Sequence, residues 1–457
     1  MRALSAEPVV SGAAAGDSRS PAYAWYVVAV LMIAYVMSFI DRQIMALLIE
    51  PIRADLGLSD TQFAVVHGLA FSLFYAVMGI PIARITDRRS RPLIIFLGVF
   101  FWSIATAACG LARSFWHLLI ARFGVGAGEA TLSPATYSLL ADSFPRQQLG
   151  RAVAVYSAGS FIGAGLAFLL GGSVIAALSH ASGTTLPLLG HVKPWQMTFI
   201  AVGLPGILVA LLIRLTVRDP PRTELSPPQP TGSEAGLWSF LRTYRRVFTS
   251  HYLGYSMSAM ALFSLLSWAP AYLIRAHGLS AQATGYVLGP IVMIACTGGV
   301  LVSGWAMDNL RARGFVDAPM RTGVIGALGV LLPAAFLPFA PNLTAAAATL
   351  SVAFFFAAFP MPPSTAAMQL LAPNRLRAQV SALFLFCNSL LGLALGSLLI
   401  GSLDDHVFRY PSGVAASLAI VTCASGIVAA LLLGIGCRLF RDATHGVAAP
   451  AVTMTRR

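Results

Sequence analysis

The stretch from Ala121 to Ser138, ARFGVGAGEATLSPATYS, sets Arg122 and Glu129 inside a segment otherwise apolar enough to cross a bilayer. A second pair, Asp41-Arg42, lies near the end of the first apolar segment. An ionised side chain at mid-membrane costs roughly 2.5–3.5 kcal/mol on insertion scales, so such groups face a partner or a watery cavity and mark a transport path. Guanidinium groups there attract an anionic head group, and a carboxyl group exchanges a proton. Burial and a nearby cation act on a carboxyl group in opposite senses, so closing the cavity or filling it with an anion changes whether the proton is held. Asp41 is the first candidate for the proton site and Glu129 the second. Arg42, Arg122 and Glu129 are the candidates for substrate binding.

The elements that must position these groups are membrane helices. Of 457 residues, 57% are hydrophobic and 10% charged, with mean hydropathy +0.77, against roughly 25% charged residues in soluble domains. The net charge of +13 comes from basic residues scattered in short loops without aromatic interleaving, which excludes nucleic acid as a partner. The five cysteines fall in or beside apolar spans with no C-x-x-C pair, so neither disulfide framework nor metal is indicated, and no cofactor is expected. The only lysine is Lys193 and no phosphate-binding G-x-x-x-x-G-K-[ST] occurs, which argues against ATP-driven pumping. Gly124, Gly126 and Gly128 sit mid-helix with no strand before them. Gly124 and Gly128, like Gly159 and Gly163, are small-x-x-x-small pairs that let helices approach closely. Pro134 and Pro270 are expected to kink the fourth and seventh spans.

A bilayer core of about 30 Å needs roughly 20 apolar residues per helix. On that ruler the chain holds twelve spans, beginning near Ala24, Thr61, Pro92, Phe115, Gly150, Trp195, Tyr252, Ala281, Thr322, Thr344, Gln379 and Val414. Of the 30 Lys and Arg, Arg53, Arg113, Lys193, Arg275 and Arg409 fall in one set of loops and Arg42 and Arg122 within spans, leaving 23 on the other side. That bias puts both ends in the cytoplasm. The expected organisation is a cytoplasmic tail over 1–23, a six-helix bundle over 24–216, a Pro-rich linker over 217–250 that ends in a basic, interfacial stretch, a second bundle over 251–440 and a tail over 441–457.

The halves repeat. The register that lays Gly57 on Gly278 also lays Leu58 on Leu279, Ser59 on Ser280, Gly68 on Gly289 and Asp87 on Asp308. A shifted register relates Pro134 to Pro363, Pro145 to Pro373 and Arg151 to Arg377. Parallel repeats of this kind put a binding site at mid-membrane between halves that rock about it. The second half has no charged residue inside its expected spans, and Trp268, Tyr272, Phe359, Gln369 and Asn388 are its candidates for an apolar substrate-binding wall.

After the second span comes Ala83-Arg84-Ile85-Thr86-Asp87-Arg88-Arg89-Ser90-Arg91, and after the eighth Gly304-Trp305-Ala306-Met307-Asp308-Asn309-Leu310-Arg311. These resemble the loop signature G-x-x-x-D-R-x-x-R of the major facilitator superfamily and its second copy, with Ala83 in place of the first glycine. The stretches 68–88, 121–145 and 150–172, with Asp41-Arg42, resemble the spinster-like, bacterial-type branch, and 280–400 follows more loosely. The fifth span resembles the superfamily's exchanger signature, with Ala164 where a proline is expected, which weakens an antiport reading. The resemblance implies an all-α membrane protein of twelve transmembrane helices in two pseudo-symmetric six-helix bundles. It further implies a secondary transporter, not an enzyme, whose relatives handle lysophospholipids and sphingosine-type lipids, in some cases with proton coupling. Asp87, Arg88, Arg91, Arg151, Asp308, Arg311 and Arg377 are the expected conformational gate.

The expected function is proton-coupled movement of an amphiphilic or anionic solute by alternating access, in a bacterial plasma membrane, by a monomer among membrane lipids. A proton-linked carrier of small organic acids or drugs is the alternative within the class. A non-transporting sensor with the same fold is the alternative outside it.

Overall fold

Where the sequence repeats, it does so for a backbone reason. Gly57 and Gly278 both end a helix in the left-handed region, at φ of 63° and 68°, where an amino acid with a Cβ is strained. Ser59 and Ser280 then cap the helices that follow by accepting from the backbone N–H of Gln62 and Ala283. Each half therefore turns back into the membrane in the same way.

The computed structural model describes residues 21–86, 89–179, 185–186, 190–221, 237–373 and 376–448. Asp87 and Arg88, residues 1–20 and 449–457 of the expected tails and 222–236 of the linker lie outside them. Among the described residues, eleven helices are long and apolar enough to cross a membrane. The twelfth span, fourth in order, is assembled from Phe115–Glu129 and Leu132–Ser143. It breaks just before Pro134 and directly after Glu129, so neither piece reaches across alone. Pro270 by contrast lies inside an unbroken helix, Arg245–His277. That helix starts well before the expected Tyr252 and follows a short helix, Leu237–Thr243, with Trp238 exposed. A two-residue antiparallel pairing of Thr185–Leu186 with Gly190–His191 precedes the sixth span, Pro194–Thr216.

Within the first half, glycine brings the charged helices together. A Cβ at Gly163 would lie 2.6 Å from the Val36 carbonyl oxygen of the first span, and one at Gly126 2.5 Å from that of Phe71 in the second. Packing then divides along the membrane normal. At the end bearing Asp60, one continuous core draws on both halves, including Phe63, Trp195, Leu265 and Trp268. Toward the end bearing Arg91, each half keeps its own core: Leu31, Trp102 and Tyr156 in the first, and Tyr255, Met320 and Phe384 in the second.

Candidate functional site

Asp41 and Arg42 are consecutive residues on a helix, so their side chains leave the axis about 100° apart. They cannot serve the same neighbour. Arg42 turns to the fourth span, where its Nε donates to Glu129 Oε2 at 2.6 Å, and the same oxygen accepts from Ser38 Oγ at 2.6 Å. The guanidinium lies 4.9, 4.5 and 5.0 Å from the ring centroids of Phe39, Phe71 and Tyr75, a cation held by ring faces. Asp41 turns the other way, toward Thr106 and Trp102 of the third span.

The expected meeting of Asp41 and Arg122 therefore takes a different form. Arg122 Nη1 reaches the backbone carbonyl of Asp41 at 3.5 Å, while the guanidinium sits 5.4 Å from the Phe71 ring. Asp41, Arg122 and Glu129 are each 1% exposed, whereas the Arg42 side chain keeps 14%. Among the described residues Asp41 Oδ1, Glu129 Oε1 and Arg122 Nε have no hydrogen-bond partner. Three unsatisfied charged atoms in so small a volume are costly unless a ligand, water or proton completes them. The four charged residues converge, and Arg42 is the one that reaches open space.

The sequence reading passed over His67. It sits in a π-helical turn, Val65–Ala70, stacks on Phe63 and hydrogen-bonds through Nε2 to Ser267 Oγ of the opposite half at 3.0 Å. Such turns recur at functional sites, and an imidazole in an apolar span was signal enough to find it.

The candidates from the second half do not form one wall. Trp268 donates to Ser397 Oγ and Tyr272 to the Leu337 carbonyl, and at 0% and 1% exposure both are core residues. Phe359 is enclosed beside Phe355 and Phe356. These three offer no surface to a central solute in this conformation. Asn388 is half-buried at the start of a π-helical turn of the eleventh span. Gln369 lines a separate cavity with Asp308, Arg311 and Arg377.

The expected gate residues also separate. Arg151, Asp308 and Arg311 are exposed and Arg377 is half-buried, its Nε on the Ala372 carbonyl. Arg91 is instead sunk inside the first bundle at 1% exposure. Its Nε donates to Asp219 at 2.7 Å, Nη1 to the Ser138 carbonyl at 3.0 Å and to Asp142, and Nη2 to the Pro220 carbonyl at 2.8 Å. All these partners belong to its own half, so its position is that of a clamp on the bundle. Arg91→Ala is expected to lower stability by about 3–5 kcal/mol, because it strands buried carboxylates. Thermal unfolding of the purified protein measures the loss.

The sealed end carries a cluster that sequence reading counted only as loop charge. Arg275 of the seventh span donates to both carboxylate oxygens of Asp60 at 2.9 and 2.7 Å and to Glu50 at 2.6 Å, with Asp404 at 3.6 Å. Asp405 accepts from the backbone N–H groups of Asp60 at 3.0 Å and Thr61 at 2.7 Å. Both contacts join one half to the other.

A bundle pair sealed at one end, with buried charges beneath the seal, is transporter architecture, and the Major Facilitator Superfamily profile matches residues 31–397. The chain belongs to that superfamily. Among its members, an MFS-type efflux pump of Mycolicibacterium smegmatis is 30% identical over 86% of this chain and 87% of its own. Protein spinster homolog 1 of Homo sapiens is 28% identical over 70% of this chain and 60% of its own. A solved bacterial homolog of the human lysosomal transporter spinster, in an inward-facing and unoccupied conformation, superposes with a TM-score of 0.75 at 28% identity, covering 93% of this chain and 98% of that one. The protein is thus a spinster-like, multi-pass superfamily transporter and not an enzyme.

Proposed function

We propose that this transporter is proton-coupled and carries an anionic amphiphile, of the lysophospholipid or sphingolipid type, by alternating access between bundles spanning 24–216 and 251–440. In this reading it lies in a bacterial inner membrane with both termini cytoplasmic, as the positive-inside bias argues, and the sealed Asp60 end faces outward. The observation that carries it is the Arg42–Glu129 pair. Arg42 is the partly accessible cation, and Glu129 is the buried anion that occupies it. An arriving anionic group competes for Arg42. Once it wins, Glu129 is left an uncompensated buried charge, and a proton removes that cost. Solute and proton thereby load together. Asp41, turned to Trp102 and Thr106, is a second proton site under the same roof. Phe39, Phe71 and Tyr75 around Arg42 supply apolar area for the tail of an amphiphile.

A second reading, proton-linked transport of a small organic acid, is favoured by relatives named for such solutes: a probable L-galactonate transporter of Escherichia coli, 28% identical over 69% of this chain, and a hexuronate transporter of Bacillus subtilis, 26% identical over 63%. Proteoliposomes separate the two. Lysophospholipid inhibits uptake on the first reading and is without effect on the second. On either, Asp41→Asn is expected to abolish uptake driven by a pH gradient while leaving passive exchange; unchanged pH dependence would remove Asp41 from the coupling.

A further inference from the structure

The fold builds the same corner twice and fills it once. In the first bundle the corner lies where the third span starts, and the Arg91 side chain plugs it against Ser138, Asp142 and Asp219. In the second bundle the ninth span starts in the same way, one residue ahead of a proline, but with Ala318 where the third has Arg91. The register that lays Pro145 on Pro373 lays Ser138 on Ala366 and Asp142 on Leu370. The guanidinium and its partners are thus replaced by alanine, alanine and leucine.

What remains is a cavity of about 720 Å³ in which Ala366 and Leu370 are exposed together with Arg311, Arg377, Asp308 and Gln369. Its volume falls within the roughly 300–1,000 Å³ of small-molecule sites. Two guanidinium groups face one carboxylate, leaving an excess positive charge. Arg377 spends its Nε on the Ala372 carbonyl, which leaves its terminal nitrogens toward the space. Phe315 and Phe440 close the far wall, so the site offers charge-assisted donors on one side and apolar surface on the other. Paired guanidinium donors match the oxygens of a phosphate in geometry and charge.

We propose that this corner of the second bundle is a binding site for a phosphate-bearing head group, supplied either by a phospholipid of the adjoining leaflet or by a soluble phosphate ester. The site is separate from the Arg42–Glu129 pair and does not depend on what the transporter carries.

The test is ligand-dependent thermal unfolding of the full-length protein in neutral detergent, with phosphatidylglycerol, diacylglycerol and glycerol 3-phosphate added in turn. Phosphatidylglycerol is expected to raise the midpoint and diacylglycerol, which lacks the phosphate, to leave it unchanged. A rise with glycerol 3-phosphate as well assigns the site to soluble esters; a rise with phosphatidylglycerol alone assigns it to lipid. Arg311→Gln with Arg377→Gln is expected to weaken the apparent affinity about tenfold or more, since both charge-assisted contacts go. Ala318→Arg with Leu370→Asp rebuilds the plug of the first bundle and is expected to abolish the shift while leaving both native arginines in place. Equal stabilisation by diacylglycerol, no shift with either phosphate compound, or the same affinity in both variants would overturn the assignment.

Discussion

Glu129→Gln is expected to tighten equilibrium binding of the anionic solute while uptake driven by a pH gradient collapses. The two effects share one cause. In the native protein, Glu129 Oε2 is the anion against which any solute competes for Arg42, held there by two contacts of 2.6 Å. Glutamine keeps the shape and an acceptor oxygen but surrenders the charge, so the internal competitor becomes neutral. A hydrogen bond to a charged group is worth about 1.5–3 kcal/mol, which corresponds to roughly tenfold to a hundredfold in affinity. Uptake fails for the complementary reason that residue 129 no longer has a proton to accept or release as Arg42 changes partner. Binding to the purified variant, measured with lysophosphatidylglycerol and with galactonate as probes of the two solute readings, separates the effects. A merely structural Glu129 would weaken binding and uptake together. Weaker binding with an unchanged pH profile would remove Glu129 from the mechanism.

How far these residues were legible in the sequence follows from what a linear pattern encodes. Depth in the membrane is encoded, because rise per residue is fixed, and it brought Asp41, Arg42, Arg122 and Glu129 to one neighbourhood. Rotation about the helix axis is not encoded in a span with polar residues too few to define a face. That is why the partner of Arg122 was expected to be the Asp41 carboxylate, when the contact is to its backbone carbonyl and Glu129 pairs with Arg42. The same indeterminacy let Trp268, Tyr272 and Phe359 be read as a cavity wall when they are enclosed. The fourth span was legible although no single helix in it is long enough, since hydropathy and charge continue across the break after Glu129 that divides it. Arg275 and Arg91 were legible as charges but not as partners: the carboxylates they meet are distant in sequence, and only the packed bundles bring them close.

Arg275→Gln is expected to shift the transporter toward the conformation open at the Asp60 end. In the sealed state its guanidinium holds Asp60 in a two-pronged contact and also reaches Glu50 and Asp404. The side chains of Arg275, Asp60 and Asp404 are 8%, 7% and 5% exposed. Removing the cation leaves carboxylates gathered at a nearly dry seam, a penalty of about 3–5 kcal/mol for a broken buried pair. When the seam parts, those carboxylates regain water, so the penalty falls on one conformation alone. A difference of that size moves a two-state population by roughly a hundredfold to a thousandfold. Distance distributions between spin labels placed at each end of the bundles read the shift directly, lengthening at the Asp60 end and shortening at the other. Gly285→Leu reaches the same endpoint through sterics, because a side chain there collides with the Phe168 backbone where the eighth span crosses the fifth. If Gly285→Leu opens the seam and Arg275→Gln leaves the distances unchanged, apolar packing holds this end shut and the charge cluster only decorates it. If both open it, the ion pairs are part of the energy that decides which way the transporter faces.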